Sequence, residues 1–160
     1  MRRHERQVTD TKDITAVIEN CNVCRLAMTD GAAPYIVPLN FGFEFYSGNL
    51  TLYFHSAGEG RKIDILRKNP VVGFEMDNNR GLKDGGTAAC RYSIYYESVI
   101  GTGKAEFVTG YREKKAALEK LMKHMTLKEN LGFNDEFINA VTIFTITSTD
   151  FTVKKREQNC

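Results

Sequence analysis

Tryptophan is absent from the 160 residues, proline and histidine occur three times each, and the net charge is only +2. With 22 basic residues against 20 acidic ones, the chain lacks the electrostatic footprint of a dedicated nucleic-acid binder. Basic residues do gather at the two ends (Arg2, Arg3, Arg6; Lys154, Lys155, Arg156), where they read as solvated tails. No run approaches the roughly 18 consecutive apolar residues of a membrane-spanning helix. The charged opening MRRHERQVTDTK has no apolar run behind it, so it does not read as a signal peptide. The expectation is a cytoplasmic protein whose four cysteines are reduced thiols. Histidines at 4, 55 and 124 are too scattered for a histidine-rich metal site, and no metal is expected. P-loop, G-x-G-x-x-G, G-x-S-x-G and H-E-x-x-H motifs are all missing.

What is present is ordinary in bulk. Hydrophobic residues are 42% and charged residues 26%, which excludes disorder, collagen-like and coiled-coil chains. The length suits one domain, 1–160, with a core over about 10–154.

Asp10 is a cap for a short helix over 10–21, with Ile14, Val17, Ile18 and Cys21 at helical spacing. Val23 to Met28 reads as a strand ending in a Thr29-Asp30-Gly31 turn. Residues 34–46 alternate Tyr35, Val37, Leu39, Phe41, Phe43 and Phe45, the period of a strand with one buried face. Pro38 cannot donate to the ladder, which points to an edge, a bulge or a local opening. A turn at 47–49 then predicts an antiparallel hairpin with Leu50 to Phe54.

A short helix is expected over 60–69, a strand from Val71 to Met76, and a flexible loop over 77–91. Strand signals return over 94–108, where Gly101 and Gly103 suggest a bulge, and a helix follows over 110–126. A last strand covers 140–153. Six strands with three inserted helices favour a mainly β fold, a small antiparallel barrel with appended helices.

Three segments could carry chemistry. Cys21-x-x-Cys24 has no second ligand pair, since neither Cys90 nor Cys160 has a cysteine or histidine nearby, so it reads as core thiols. In Phe54-His55-Ser56-Ala57-Gly58-Glu59-Gly60-Arg61-Lys62 a strand ends, the chain turns on two glycines, and a helix opens with two cations. Cations there oppose the helix dipole, which a bound phosphate would explain. Surface pairing of Arg61 and Lys62 with Glu59 or Asp64 explains it equally well. His55 is open to a structural role or to proton donation beside a ligand. In the third segment, 34–42, the ladder break at Pro38 and the amide of Asn40 suit the edge of a planar heteroaromatic ring, or a plain bulged edge strand.

Four ordered motifs go further: Y-I-V-P-L-N-F-G (35–42), L-Y-F-H-S-A-G-E-G-R-K (52–62), N-P-V-V-G-F-E-M (69–76) and Y-E-S-V-I-G-T-G-K-A (96–105). Together they resemble the pyridoxamine 5′-phosphate oxidase-like flavin-binding split barrels, most closely the Nim-type nitroimidazole-resistance proteins, over about residues 10–154. The resemblance implies a six-stranded antiparallel split barrel and a homodimer with flavin at the subunit interface. FMN is the implied cofactor, with FAD as the alternative. By position, Val37, Pro38, Leu39 and Asn40 would line the isoalloxazine, and His55 and Ser56 the ring and ribityl-phosphate region. Arg61 and Lys62 would hold the phosphate, and Ser98 would reach the flavin from a neighbouring strand. His55 is the implied catalytic residue.

The chain lacks the tryptophan- and arginine-bearing C-terminal segment of true pyridoxamine phosphate oxidases, which argues against vitamin B6 oxidation. The function expected is a flavin-dependent reductase of nitroaromatics or similar small electrophiles. The alternative is a non-catalytic flavin or haem carrier or sensor, with His55 as an axial ligand. Nucleic-acid binding through the basic ends is the weakest reading, and no nucleic-acid or membrane partner is expected.

Overall fold

The computed structural model describes residues 3–128 and 131–157, so Arg2 and Cys160 lie outside the described residues. Eight strands form one antiparallel sheet: β1 (Gln7–Val8), β2 (Cys24–Asp30), β3 (Ala33–Leu39), β4 (Gly42–Tyr46), β5 (Asn49–Ser56), β6 (Val71–Lys83), β7 (Ser93–Val108) and β8 (Thr142–Arg156). Their order is β3-β2-β6-β7-β8-β5-β4, with β1 added on β8. Four helices are inserted: α1 (Thr11–Glu19), α2 (Arg61–Lys68), α3 (Tyr111–Thr126) and α4 (Asp135–Ala140). No helix among the described residues is long and apolar enough to cross a membrane.

The two ends of the sheet, β3 and β4, are consecutive in the chain and joined only by Asn40 and Phe41. The sheet is thus rolled but not closed. This corrects the expected single strand over 34–46, and with it the count of six. The alternation of apolar residues continues in phase through the corner, so periodicity could not show it. Phe41 is fully buried, and a Cβ placed on Gly42 would lie 2.6 Å from Leu121 Cα. Only glycine lets α3 lie against the corner. His124 Nδ1 lies 2.7 Å from the Phe41 carbonyl, which can only accept, so that nitrogen carries the proton. α3 therefore clamps the point where the chain leaves one sheet edge for the other.

Pro38 does lie on an edge strand, since β3 pairs only with β2. β4 and β5 form the expected hairpin, turning on Ser47 (φ 49) and Gly48 (φ 80), a mirror-image two-residue turn that glycine favours. The register of β7 against β8 shifts between Thr102 and Lys104, which places the bulge at Gly103. The expected loop over 77–91 is shorter than read. β6 runs on to Lys83, with an irregularity between Asn79 and Leu82 where Gly81 takes φ 110. The segment looks like a loop in sequence because this end of the hairpin is solvated and carries no apolar alternation.

The core fills the inside of the roll. Leu26, Met28, Leu50, Leu52, Phe54, Phe74, Met76, Val99, Phe144, Ile146 and Val153 supply it from the strands, Ile63 and Leu66 from α2, and Val17 and Ile18 from α1. Asp10 caps α1 as expected, accepting from the amides of Lys12 (2.8 Å) and Asp13 (3.2 Å). Cys21 and Cys24 are fully buried free thiols. Burial pushes both thiols up to about 12, with the negative charge of Glu97 acting further on Cys21 and that of Glu75 on Cys24. The neutral thiols therefore favour the fold fully below the ordinary thiol range, and this support is lost as pH rises from roughly 8.5 towards 12. Alkylation of native protein at about pH 8 is expected to label the exposed Cys90 and spare Cys21 and Cys24 until the chain unfolds. Peptide mass spectrometry reads this directly; fast native labelling of Cys21 or Cys24 would contradict a core role.

Candidate functional site

β5 carries Leu52, Phe54 and Ser56 inward and Tyr53 and His55 outward. At its end His55 is exposed opposite Ile143 of β8, while Ser56 is 7% exposed and faces the core side. The Ser56 hydroxyl is buried with no hydrogen-bond partner among the described residues. An orphaned donor of that kind costs about 1–3 kcal/mol unless something binds it.

Five residues later α2 begins. Its N-cap is Gly60 at φ 121, and no side chain caps the first turn. The amides of Arg61 and Lys62, the first two residues of the helix, have no intrahelical acceptor. Both carry cations where the dipole disfavours them. The Arg61 guanidinium is held: Nε donates to Asp30 Oδ2 at 2.8 Å, and the group lies 4.4 Å from the centre of the Tyr35 ring. Neither expected carboxylate, Glu59 or Asp64, is its partner. Lys62 is half-buried and makes no ion pair among the described residues. An uncapped helix start, an unpaired ammonium and a buried orphan hydroxyl together fit a phosphate group, for which each supplies donors. The cleft beside Arg61, about 570 Å³, mixes Asp30 and Asp64 with Arg61 and Lys68 and has no such bias.

Through Tyr35 the start of α2 is tied to β3, which carries the other predicted residues. Val37 and Leu39 point inward against the core, so only their backbone is offered to a ligand. Pro38 and Asn40 are exposed, and the Asn40 amide donates to the Asn22 carbonyl at 3.1 Å. Ser98 is elsewhere. It lies on the outer face of β7, opposite Asp77 and Lys154, with β2 and β6 between it and β3. His55 sits beside Ile143 near the start of β8 and Ser98 beside Lys154 near its end, roughly 36 Å apart along the strand at about 3.3 Å per residue. One protomer does not bring the two together.

Glu97 was not singled out by the sequence. It is 2% exposed, and its Oε2 accepts from the amides of Asn20 (3.1 Å) and Asn78 (3.2 Å), with Lys155 Nζ 3.8 Å from Oε1. It ties α1 to β6 and β8 beside Ser98. Its position in the inward phase of β7, two residues before Val99, is the signal that could have found it. Among the described residues no group of three potential metal ligands comes together.

An open antiparallel sheet, rolled until its edge strands are neighbours in sequence and flanked by helices, defines the split-barrel class. The chain belongs to the pyridoxamine 5′-phosphate oxidase family, whose profile matches residues 10–155. A solved structure from Bacteroides thetaiotaomicron, a candidate 5-nitroimidazole antibiotic resistance protein, is 32% identical, with a TM-score of 0.78 over 92% of this chain and 85% of that one. An FAD and haem binding protein from Mycobacterium smegmatis is 16% identical with a TM-score of 0.77, covering 96% of this chain and 74% of that one. A NimC/NimA family protein from Clostridium acetobutylicum is 18% identical with a TM-score of 0.58, covering 92% and 87%. The last two likenesses speak for the fold alone. No curated protein matches the chain significantly.

Proposed function

We propose that this chain is a flavin-dependent reductase of nitroaromatics, such as 5-nitroimidazoles, or similar small electrophiles, and that it works as a homodimer. The observation that carries the reading is the uncapped start of α2 with its unpaired Lys62, which follows the orphaned Ser56 hydroxyl closely in the chain. The resistance protein at 32% identity supports the substrate class.

In this reading Lys62, the Arg61 side chain and the first amides of α2 bind the phosphate of FMN, or the corresponding phosphate of FAD. Ser56 donates its hydroxyl to the same region. The backbone of Val37, Pro38 and Leu39 and the Asn40 side chain orient the ring along its edge. Bound flavin supplies the two-electron chemistry. His55, outward on β5, delivers a proton to the reduced substrate. Ser98 completes the site from the partner chain, which answers its distance from His55 within one protomer. The outer face of β3, β6 and β7 offers the surface for that partner: Ile36, Val71 and Ile100 are each more than half exposed there.

The test is the chromophore released from purified protein, followed by nitroimidazole reduction with a nicotinamide donor. A flavin spectrum and turnover are expected. A haem Soret band without flavin would support the carrier reading instead, and a colourless protein that does not take up flavin would sink both. His55→Ala is expected to keep its flavin and lose about 10²-fold in turnover. Unchanged turnover would remove His55 from the mechanism.

A further inference from the structure

We infer that the cleft where the two chain ends meet the β6–β7 connection binds a small anion carrying two or more phosphate groups. Within one protomer this site is separate from the start of α2, and its assignment does not depend on the flavin reading. The basic ends are not solvated tails: β1 pairs with β8, Gln7 opposite Lys154 and Val8 opposite Val153. Tyr96 pairs with Arg156, and Lys83 with Ser93, which brings the connection against the same place. The result is a cleft of about 600 Å³ lined by Arg3, Arg6, Lys83, Arg91 and Arg156, with Asp84 as its one carboxylate among the described residues. Arg6, Lys83 and Arg156 also line an adjoining cleft of about 540 Å³.

The carboxylates nearby neutralise these cations only in part. Asp84 Oδ1 accepts the Gly86 amide at 2.8 Å and is spent inside its own loop. Glu5 is shared between Arg3 at 3.6 Å and Arg6 at 3.8 Å. Glu157 pairs with Lys155 at 2.6 Å. Besides Glu5, Arg6 makes a long contact to the Tyr96 hydroxyl, 3.5 Å, and Arg156 donates to the neutral Ser93 Oγ. Lys83 and Arg91 have no carboxylate partner among the described residues. The Arg6 side chain is only 22% exposed, so solvent screens it weakly.

Five converging cations repel one another, and water is the poorer neutraliser where side chains are half-buried. Guanidinium forks match phosphate oxygens two at a time. Asp84 and Glu5 offset two of the five cations and leave three positive charges; each phosphate group brings roughly −1.5 to −2 charges, so two balance the site. Within one protomer the start of α2 is a different place. Ser56 pairs with Thr142, at the opposite end of β8 from Arg156, roughly 46 Å along the strand at about 3.3 Å per residue.

Calorimetric titration with inorganic pyrophosphate and inorganic orthophosphate, at ~150 mM salt, tests the proposal. Saturable pyrophosphate binding is expected, about tenfold or more tighter than orthophosphate. Lys83→Gln/Arg156→Gln should weaken it about tenfold or more, while Lys104→Gln, an exposed lysine remote from both sites, should leave it unchanged. Should the first variant fail to fold, Arg91→Gln, on an exposed side chain, reads the same loss. Cys90 lines the cleft and is exposed, so pyrophosphate should slow its alkylation, followed on its peptide. Equal weak binding of both anions, no protection of Cys90, or the same loss of affinity in the Lys104 variant would each overturn the assignment.

Discussion

Gly42→Ala is expected to lower the melting temperature by roughly 10 °C, the consequence of about 3 kcal/mol or more of overpacking in a chain of this size. The added Cβ would meet the α3 backbone, with Leu121 Cα at 2.6 Å, and backbone cannot rotate away as a side chain does. Relief requires α3 to lift, which would also strain the contact of His124 with the Phe41 carbonyl. The loss should be far larger than for Gly31→Ala, where nothing lies within 4 Å and only φ 62 opposes the substitution. Thermal unfolding of the two variants side by side checks this. Equal melting temperatures would mean that α3 does not press on the corner.

The second large effect concerns the ligand. Lys62→Glu is expected to weaken flavin binding at least about 100-fold, since it removes a charge-assisted bond and sets a carboxylate against a phosphate at short range. The fold should be spared, with melting of the flavin-free protein moved by no more than about 2 °C, because Lys62 makes no ion pair among the described residues. Arg61→Gln should weaken binding less and cost more of the fold, because its guanidinium is already engaged with Asp30 and Tyr35. Flavin titration followed by fluorescence gives the affinities. A Lys62→Glu protein that binds flavin normally would move the phosphate away from α2.

The two results test layers that were unequally legible beforehand. Alternation in β2, β5 and β8 and the helical spacing in α1 and α3 reflect burial on one face, which composition alone betrays. The corner at Asn40-Phe41 was hidden because its apolar residues keep the rhythm of a continuous strand, and its cause lies 79 positions away at Leu121. The polar end of β6 reads as a loop in sequence because neither face is buried there. At the site, the glycines and cations of 58–62 were visible. The Asp30 and Tyr35 partners of Arg61 were not, since they follow from how β2 and β3 pack against α2. Glu97 and the basic cleft were missed for the same reason: both are assembled from segments far apart in sequence.

The placing of β8 between β7 and β5 also sets an order of events during synthesis. The β2–β3 and β4–β5 hairpins can form as soon as they emerge, because their pairings are local. The seam that joins them through the sheet cannot. Leu50 must wait for Ser148 and Ser56 for Thr142, so β5 keeps an unpaired edge until β8 has been made. Long-range pairing of that kind is slow to nucleate and leaves strand edges open to wrong partners in the interval. The cell's difficulty in making this protein is therefore expected to lie in the last strand and not in the first hairpins.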